Sequence, residues 1–265
     1  MRINDYIIKE RLPFFFCAGC GHGISIKMLT ETFDELNIPK NNIVTVTGIG
    51  CYGKADDYID TNTMHTVHGR ALAYATGVKV ANPELTVVAM MGDGDSAAIG
   101  GNHLIHAARR NVGITAIVSN NMNYGMTGGQ YSPTTPYLSI TATSPYGFPE
   151  RPLDLCELVI ASGGTFVART TVFHTAQLKK YIKMGLQHKG FSFIEILSPC
   201  PTQYGKNNKL SSAPKLVEHL KEITSPVSKA KETGKIPIGI LKEINDVLEY
   251  NDAYMQIVNK IKEKK

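Results

Sequence analysis

The chain has 265 residues, 43% of them hydrophobic and 19% charged, with 24 glycines, five cysteines and no tryptophan. That length and balance suit one substantial core with an appendage, and no stretch approaches the roughly 18 uninterrupted apolar residues of a membrane span. The net charge of +5 is carried largely by scattered lysines in "YGKNNKL", "KAKETGK" and "NKIKEKK", without the clustered arginines and interleaved aromatics of a nucleic-acid surface. "MRINDYIIKERLPFFFC" mixes acids with bases and lacks a long apolar run, so it does not read as a signal peptide. An odd number of unevenly spaced cysteines argues against a disulfide framework, and the expected compartment is the cytoplasm.

In chain order, the first chemical signal is "CAGCGHG" at residues 17–23, joined later by "GIGC" at 48–51 and "SPC" at 198–200. A Cys-x-x-Cys pair serves equally as a redox switch, a zinc clip or part of an iron–sulfur site. A set of four thiolates suits either zinc or a [4Fe–4S] cluster by spacing alone. Cys156 lies in an apolar helical pattern and reads as a small buried hydrophobe.

Between these cysteines the periodicity alternates. "GISIKMLTETFDEL" puts Ile24, Met28, Leu29, Phe33 and Leu36 on one helical face, and "NIVTVTG" (42–48) is a β-branched run of the kind buried on both sides of a sheet. "VHGRALAYATGVKVA" is a helix of small residues; "LTVVAMM" (85–91) is a second buried strand. A helix through "SAAIGGNHLIHAARR" leads to a strand at "ITAIVSN". A long Gly/Pro/Thr loop (122–149) precedes the helix "LDLCELVIAS" and the strand "TFVAR". The helix "FHTAQLKKYIKMGLQHK" and the strand "FSFIEIL" complete the pattern. Such alternation predicts an α/β fold, a mostly parallel sheet with helices on both faces. The expected division is a cofactor-binding domain over 1–204 and a loop with a Lys-rich helical appendage over 205–265.

"GDG" at 92–94 falls where a predicted buried strand ends and a helix begins, and "NN" at 120–121 ends the next strand. Alone, GDG is a strand-to-helix turn as readily as a ligand site. One strand–helix–strand unit of about 30 residues separates the two motifs, which places both at the carboxyl edge of a parallel sheet, where open α/β folds bind ligands. A hard carboxylate and an amide oxygen beside a helix start are what a Mg²⁺–diphosphate pair requires. Gly92 and Gly94 allow close backbone approach, and the amides of Gly94, Asp95 and Ser96 open the helix toward negative charge.

This Gly-Asp-Gly…Asn-Asn arrangement resembles the thiamine diphosphate motif. The resemblance implies that Asp93, Asn121 and the backbone carbonyl of Asn123 hold Mg²⁺. Together with "CAGCGHG", "GIGC", "HTVHGRALAYATGVKVANPELTVVAMMGDGD", "NYGMTGGQYSPTTP" and "SPCPTQYG", the chain over roughly residues 14–205 resembles the β subunits of 2-oxoacid:ferredoxin oxidoreductases, most of all those acting on 2-oxoglutarate. The resemblance implies thiamine diphosphate, Mg²⁺ and a [4Fe–4S] cluster on Cys17, Cys20, Cys51 and Cys200. It also implies oxidative decarboxylation of a 2-oxoacid with coenzyme A, electrons leaving through the cluster to ferredoxin. Ile49, Gly50, His68, Gly92, Asp93, Gly94, Asp95, Asn121, Asn123, Gly125, Met126 and Thr127 are the expected cofactor contacts.

The expected partner is an α subunit that carries the pyrimidine-binding domain and the catalytic glutamate, since such enzymes hold the cofactor between two α/β domains and this chain has room for one. Further small ferredoxin-like subunits are a second expected partner. Lys54, close after Cys51, is read as the selector of a distal substrate carboxylate, or as a surface lysine; His68 as a cofactor contact, or as a local cap. His22 is either a packing neighbour or a contact near the cofactor. His103 and His106 are read as solvated helix-face residues before a metal pair. "YGMTGGQYSPTTP" wraps the diphosphate with backbone amides and the Thr127 hydroxyl, or forms a surface lid. Alternatives to the leading reading are a branched-chain 2-oxoacid or pyruvate as substrate, a non-redox thiamine diphosphate decarboxylase or synthase, and a zinc-stapled binding protein.

Overall fold

The structure, a computed structural model, describes residues 5–210 and 212–264. The strands alternate with helices as α1 (His22–Glu35), β1 (Ile43–Thr47), β2 (Asn62–His65), α2 (Ala71–Ala81), β3 (Thr86–Gly92), α3 (Gly101–Arg110), β4 (Ile114–Asn120), α4 (Leu155–Ala161), β5 (Phe166–Thr171), α5 (Thr175–Gln187) and β6 (Ser192–Leu197). After β6 come α6 (Ala213–Ile223), β7 (Thr224–Pro226), α7 (Val227–Thr233), β8 (Ile236–Glu243) and α8 (Tyr250–Lys262). One eight-stranded sheet has the order β2-β1-β3-β4-β6-β5-β8-β7. All pairings among β1 to β6 are parallel.

The central strands are apolar on both faces because both faces are covered. Val88 and Met90 of β3 join Leu29 and Phe33 of α1 and Leu178 and Ile182 of α5 in one core. Val87, Ala89 and Met91, pointing the other way, pack with Ala71 and Ala75 of α2 and with Leu104 and Ala107 of α3. The small side chains of α2 let that helix approach the sheet closely. Each fully buried large side chain contributes about 1.5–3 kcal/mol through the water it sheds. Among the described residues, no helix is long and apolar enough to cross a membrane.

Three local expectations are corrected. The segment over 62–65 pairs in parallel with β1 although no strand was expected there. Its sequence, Asn-Thr-Met-His, is that of an exposed edge and carries no apolar signal. The helix expected from residue 96 is instead a π-helical turn over Asp95–Ile99 leading into α3. Gly100 is needed at the junction, since a Cβ there would lie 2.3 Å from the Asp95 carbonyl oxygen.

The third correction concerns the tail, expected to be a helical appendage. β8 pairs antiparallel with β5, and β7 pairs with β8, so the tail extends the main sheet. Asn111, in the left-handed region at the end of α3, donates from its amide to the carbonyls of Val247 and Leu248. Its amide oxygen accepts from Thr165 and from the Phe191 backbone. Glu249 caps α8 through the amides of Asn251 and Asp252 and accepts from the Gly113 N–H at 2.7 Å. Replacing Glu249 with alanine removes the cap and strands the Gly113 donor. The expected loss is about 2 kcal/mol of global stability, read as a lower urea midpoint in a single transition. An unchanged midpoint contradicts this coupling of tail and core.

Candidate functional site

Strand order and register bring four chain crossings to one edge of the sheet. Thr47 pairs with Met90, Gly92 with Ser119, and Asn120 with Leu197. The residues just past each strand therefore meet: the turn 48–51 after β1, Asp93 after β3, Asn121 after β4 and Cys200 after β6. Two pockets open there side by side.

The first is lined by every cofactor contact expected from sequence: Ile49 and Gly50; His68; Gly92, Asp93, Gly94 and Asp95; Asn121 and Asn123; and Gly125, Met126 and Thr127. Asp93 is 2% exposed. Its Oδ2 accepts from the hydroxyls of Ser132 at 2.5 Å and Thr134 at 2.6 Å. Burial pushes the carboxyl up to about 6, against the pull of these hydrogen bonds. Beside it the Oδ1 of Asn121 is buried and has no hydrogen-bond partner, while its backbone carbonyl accepts from the Asn123 side chain at 2.7 Å. Such an orphaned acceptor is rare in a folded interior. A carboxylate and a free amide oxygen form a hard-oxygen donor set of the kind Mg²⁺ takes.

Glycine makes the remaining walls. A Cβ on Gly92 or Gly50 would meet no protein atom within 4 Å, so the space beside both backbones is open to a ligand. A Cβ on Gly94 would stand 2.2 Å from the Tyr124 ring, and one on Gly48 would lie 1.6 Å from the Asp95 carboxylate. Asp95 is wedged under the 48–51 turn and accepts from the Gly69 N–H at 2.6 Å. Burial raises its carboxyl, opposed first by the Gly69 N–H and then by His68. The His68 Nδ1 lies 3.0 Å from Asp95 Oδ1, and its ring sits 5.9 Å from that of Tyr124.

The second pocket gathers Cys17, Cys20, Cys51 and Cys200, and it shares Cys51, His22, Asn121, Gly125 and Met126 with the first. A Cβ on Gly125 would lie 3.4 Å from the Cys200 sulfur and 3.8 Å from that of Cys51. The Cys20 and Cys51 thiols are pushed up to about 11 by burial, with their neighbouring thiols adding to the shift. Deprotonating all four therefore calls for a positive group among them. Among the described residues no three of these sulfurs lie within 4.8 Å of one another; the one group of three or more possible ligand atoms that does is Asp154, Cys156 and Glu195.

Other sequence expectations end elsewhere. Lys54 is not brought to either pocket: its Nζ is 2.6 Å from Asp57 Oδ2, because the 3-10 turn after Cys51 puts those residues three apart on one side. Of the two readings of Lys54, this ion pair fits the surface lysine rather than the selector of a substrate carboxylate. The Thr127 hydroxyl donates to Gln130 Oε1 at 2.5 Å, which leaves the backbone of the 125–127 segment as its contribution to the pocket wall. His103 and His106 stay on α3, where His106 accepts from Arg109. Cys156 is buried as expected, with its thiol 3.2 Å from Glu195.

Sequence reasoning missed Ser132 and Thr134, whose hydroxyls hold Asp93, and Tyr52 and Tyr124 in the pocket wall. The signal for the first two was present in "YSPTTP", a run of hydroxyls shortly after the paired asparagines. His22 is buried, both ring nitrogens lack partners, and its ring packs edge-on to Tyr52. Burial lowers its pKa to about 4, so it is a neutral imidazole lining both pockets.

Residues 48–196 match the C-terminal thiamine pyrophosphate-binding domain of thiamine pyrophosphate enzymes. The 2-oxoglutarate synthase subunit KorB of Methanocaldococcus jannaschii is 45% identical over 263 residues, 97% of either chain. Its counterpart in Methanothermobacter thermautotrophicus is 50% identical over 217 residues, 82% of this chain and 76% of the relative. Among solved structures, the 2-oxoglutarate:ferredoxin oxidoreductase of Magnetococcus marinus, with 2-oxoglutarate, coenzyme A and succinyl-CoA bound, superposes with a TM-score of 0.86 at 33% identity, covering 95% of this chain and 88% of that one. A thiamine pyrophosphate domain on the predicted residues and relatives aligned over nearly the whole chain place it in one family: it belongs to the β subunits of the 2-oxoglutarate synthases, enzymes of the 2-oxoacid:ferredoxin oxidoreductase class.

Proposed function

We propose that this chain is the thiamine diphosphate-binding subunit of a 2-oxoglutarate:ferredoxin oxidoreductase, an enzyme that converts 2-oxoglutarate and coenzyme A to succinyl-CoA and CO₂ and passes two electrons to ferredoxin. The observation that carries the reading is the unpartnered, buried Asn121 Oδ1 beside the buried Asp93 carboxylate. Asp93, Asn121 and the Asn123 carbonyl would hold Mg²⁺. The open backbones at Gly92 and Gly50, with Gly94, Gly125, Met126 and Thr127, would receive the diphosphate and its ring. When bound, thiamine diphosphate supplies the electron sink that lets a 2-oxoacid lose CO₂.

The chain's own residues position and shield. Ser132 and Thr134 donate to Asp93 and leave its other oxygen for the metal. His68 lies against Asp95 in the pocket wall, with Tyr124 and Ile49 beside it. His22, neutral and without partners, is available to hydrogen-bond a bound group on either side. Cys17, Cys20, Cys51 and Cys200 would hold a [4Fe–4S] cluster directly beside this pocket, with Gly125 keeping the gap short; zinc could not accept the two electrons that oxidation of a 2-oxoacid releases. The exposed apolar side chains of Ile49, Val67 and Met126 beside the pocket fit a surface covered by the α subunit that brings the catalytic glutamate. A non-redox decarboxylase has no use for four converging thiols.

In the assembled complex, Asp93→Asn is expected to weaken Mg²⁺-dependent thiamine diphosphate binding by at least about 100-fold, beyond the usual cost of an outer-shell change, as read by calorimetric titration. Binding at the parent affinity contradicts the metal assignment. Anaerobically purified complex carrying Cys200→Ser is expected to lose the brown visible absorption assignable to this chain; retention of the full iron content places the cluster elsewhere. Assayed with a viologen dye and coenzyme A, the complex is expected to prefer 2-oxoglutarate over pyruvate and branched-chain 2-oxoacids, and Lys54→Ala is expected to leave that preference in place.

A further inference from the structure

Two charged residues lie inside the fully buried strands β5 and β6, and neither lines the two pockets described above. Arg169 and Glu195 are register partners, each 2% exposed. The Arg169 Nε donates to Glu195 Oε2 at 2.6 Å, and its other end donates to Asp154 at the start of α4. A buried ion pair is weak evidence of stabilisation, because desolvation offsets most of the attraction. This pair has a further partner. The second carboxylate oxygen, Glu195 Oε1, accepts from the Asn120 side-chain amide at 2.7 Å.

That contact fixes which way the Asn120 amide faces. With its NH₂ on Glu195, the Asn120 Oδ1 is turned toward the site. There it accepts from the Met122 backbone N–H at 3.0 Å, with the Thr134 hydroxyl oxygen also 3.0 Å away. Met122 is in the left-handed region, φ 64°, a conformation unusual for a side-chain-bearing residue. It is clamped from both sides, since its carbonyl accepts from Thr135 at 2.7 Å. Met122 is the residue between Asn121 and Asn123, so its conformation sets where the Asn121 Oδ1 and the Asn123 carbonyl point. Thr134 in turn donates to Asp93.

We propose that Glu195, braced by Arg169, is a positioning residue for the Mg²⁺–diphosphate site: by holding the Asn120 amide in one orientation it fixes the Met122 turn and the oxygens that ligate the metal. This rests on the metal assignment proposed above. Glutamine at 195 cannot serve both neighbours, because its NH₂ must face either the Arg169 Nε–H or the Asn120 NH₂, two donors in either case. The second choice favours rotation of the Asn120 amide and removes the acceptor that Met122 N–H uses.

The test is the Mg²⁺ concentration for half-maximal thiamine diphosphate binding to the assembled complex, with melting temperature and iron content measured alongside. Asn120→Ala and Glu195→Gln are each expected to raise it by roughly 10- to 100-fold, the cost of losing an outer-shell orienting contact, with iron content retained. The double variant is expected to be no worse than the weaker single, since both act through one contact. Should Glu195→Gln not fold, Arg169→Met with Glu195→Met removes both buried charges and is read in the same way. Unchanged half-saturation in folded variants, or effects that multiply in the double variant, overturns the proposal. Asp93→Asn separates the two failures: if it too binds normally, the metal site is wrong; if it alone abolishes binding, only the positioning role falls.

Discussion

A carboxylate buried at the end of a parallel strand, with no cationic side chain paired to it among the described residues, is the constraint around which the site is arranged. Desolvation of Asp93 is opposed by two hydroxyls and by local amides, and these do not neutralise a charge. Its neighbour Asn121 turns an unsatisfied oxygen into the same space. Each feature alone is an unfavourable element of a fold. Together they fit the proposed Mg²⁺, since a small hard cation would offset both. The glycines on either side keep the space open, and the helix start at Gly94 adds amides suited to phosphate.

The same edge of the sheet carries the thiols. Because β1, β3, β4 and β6 run parallel, the loops leaving their carboxyl ends emerge on one side, so Cys51 and Cys200 arrive where Asp93 and Asn121 arrive. The two pockets share Cys51, His22, Asn121, Gly125 and Met126, so they adjoin one another across these side chains. Cys17 and Cys20 come from the segment before α1, which explains how residues so early in the chain complete a site assembled from strand ends.

Much of this was legible in the residues themselves. Strand–helix periodicity with buried apolar runs predicts the doubly covered parallel sheet, and GDG with a paired asparagine one unit later marks its ligand edge. The cysteine set converges as expected. What was not legible arises from tertiary choices. β8 reads as part of a Lys-rich tail, and its strand conformation comes from the open edge of β5. β2 is a polar edge strand defined by its neighbour. Lys54 was placed by its distance from Cys51 along the chain, whereas the turn containing it aims it at Asp57. Glu195 in "FSFIEIL" and Arg169 in "TFVARTT" did leave a trace, a lone charge inside each buried strand, and such a charge requires a partner.

The most direct measurement is a crystal structure of the assembled complex grown with thiamine diphosphate and Mn²⁺ in place of Mg²⁺, since manganese scatters anomalously. The expected result is one anomalous peak bonded to an Asp93 carboxylate oxygen, Asn121 Oδ1 and the Asn123 carbonyl, with Met122 in its left-handed conformation. A peak bonded to other residues, or Asn121 Oδ1 satisfied by a protein donor, contradicts the account.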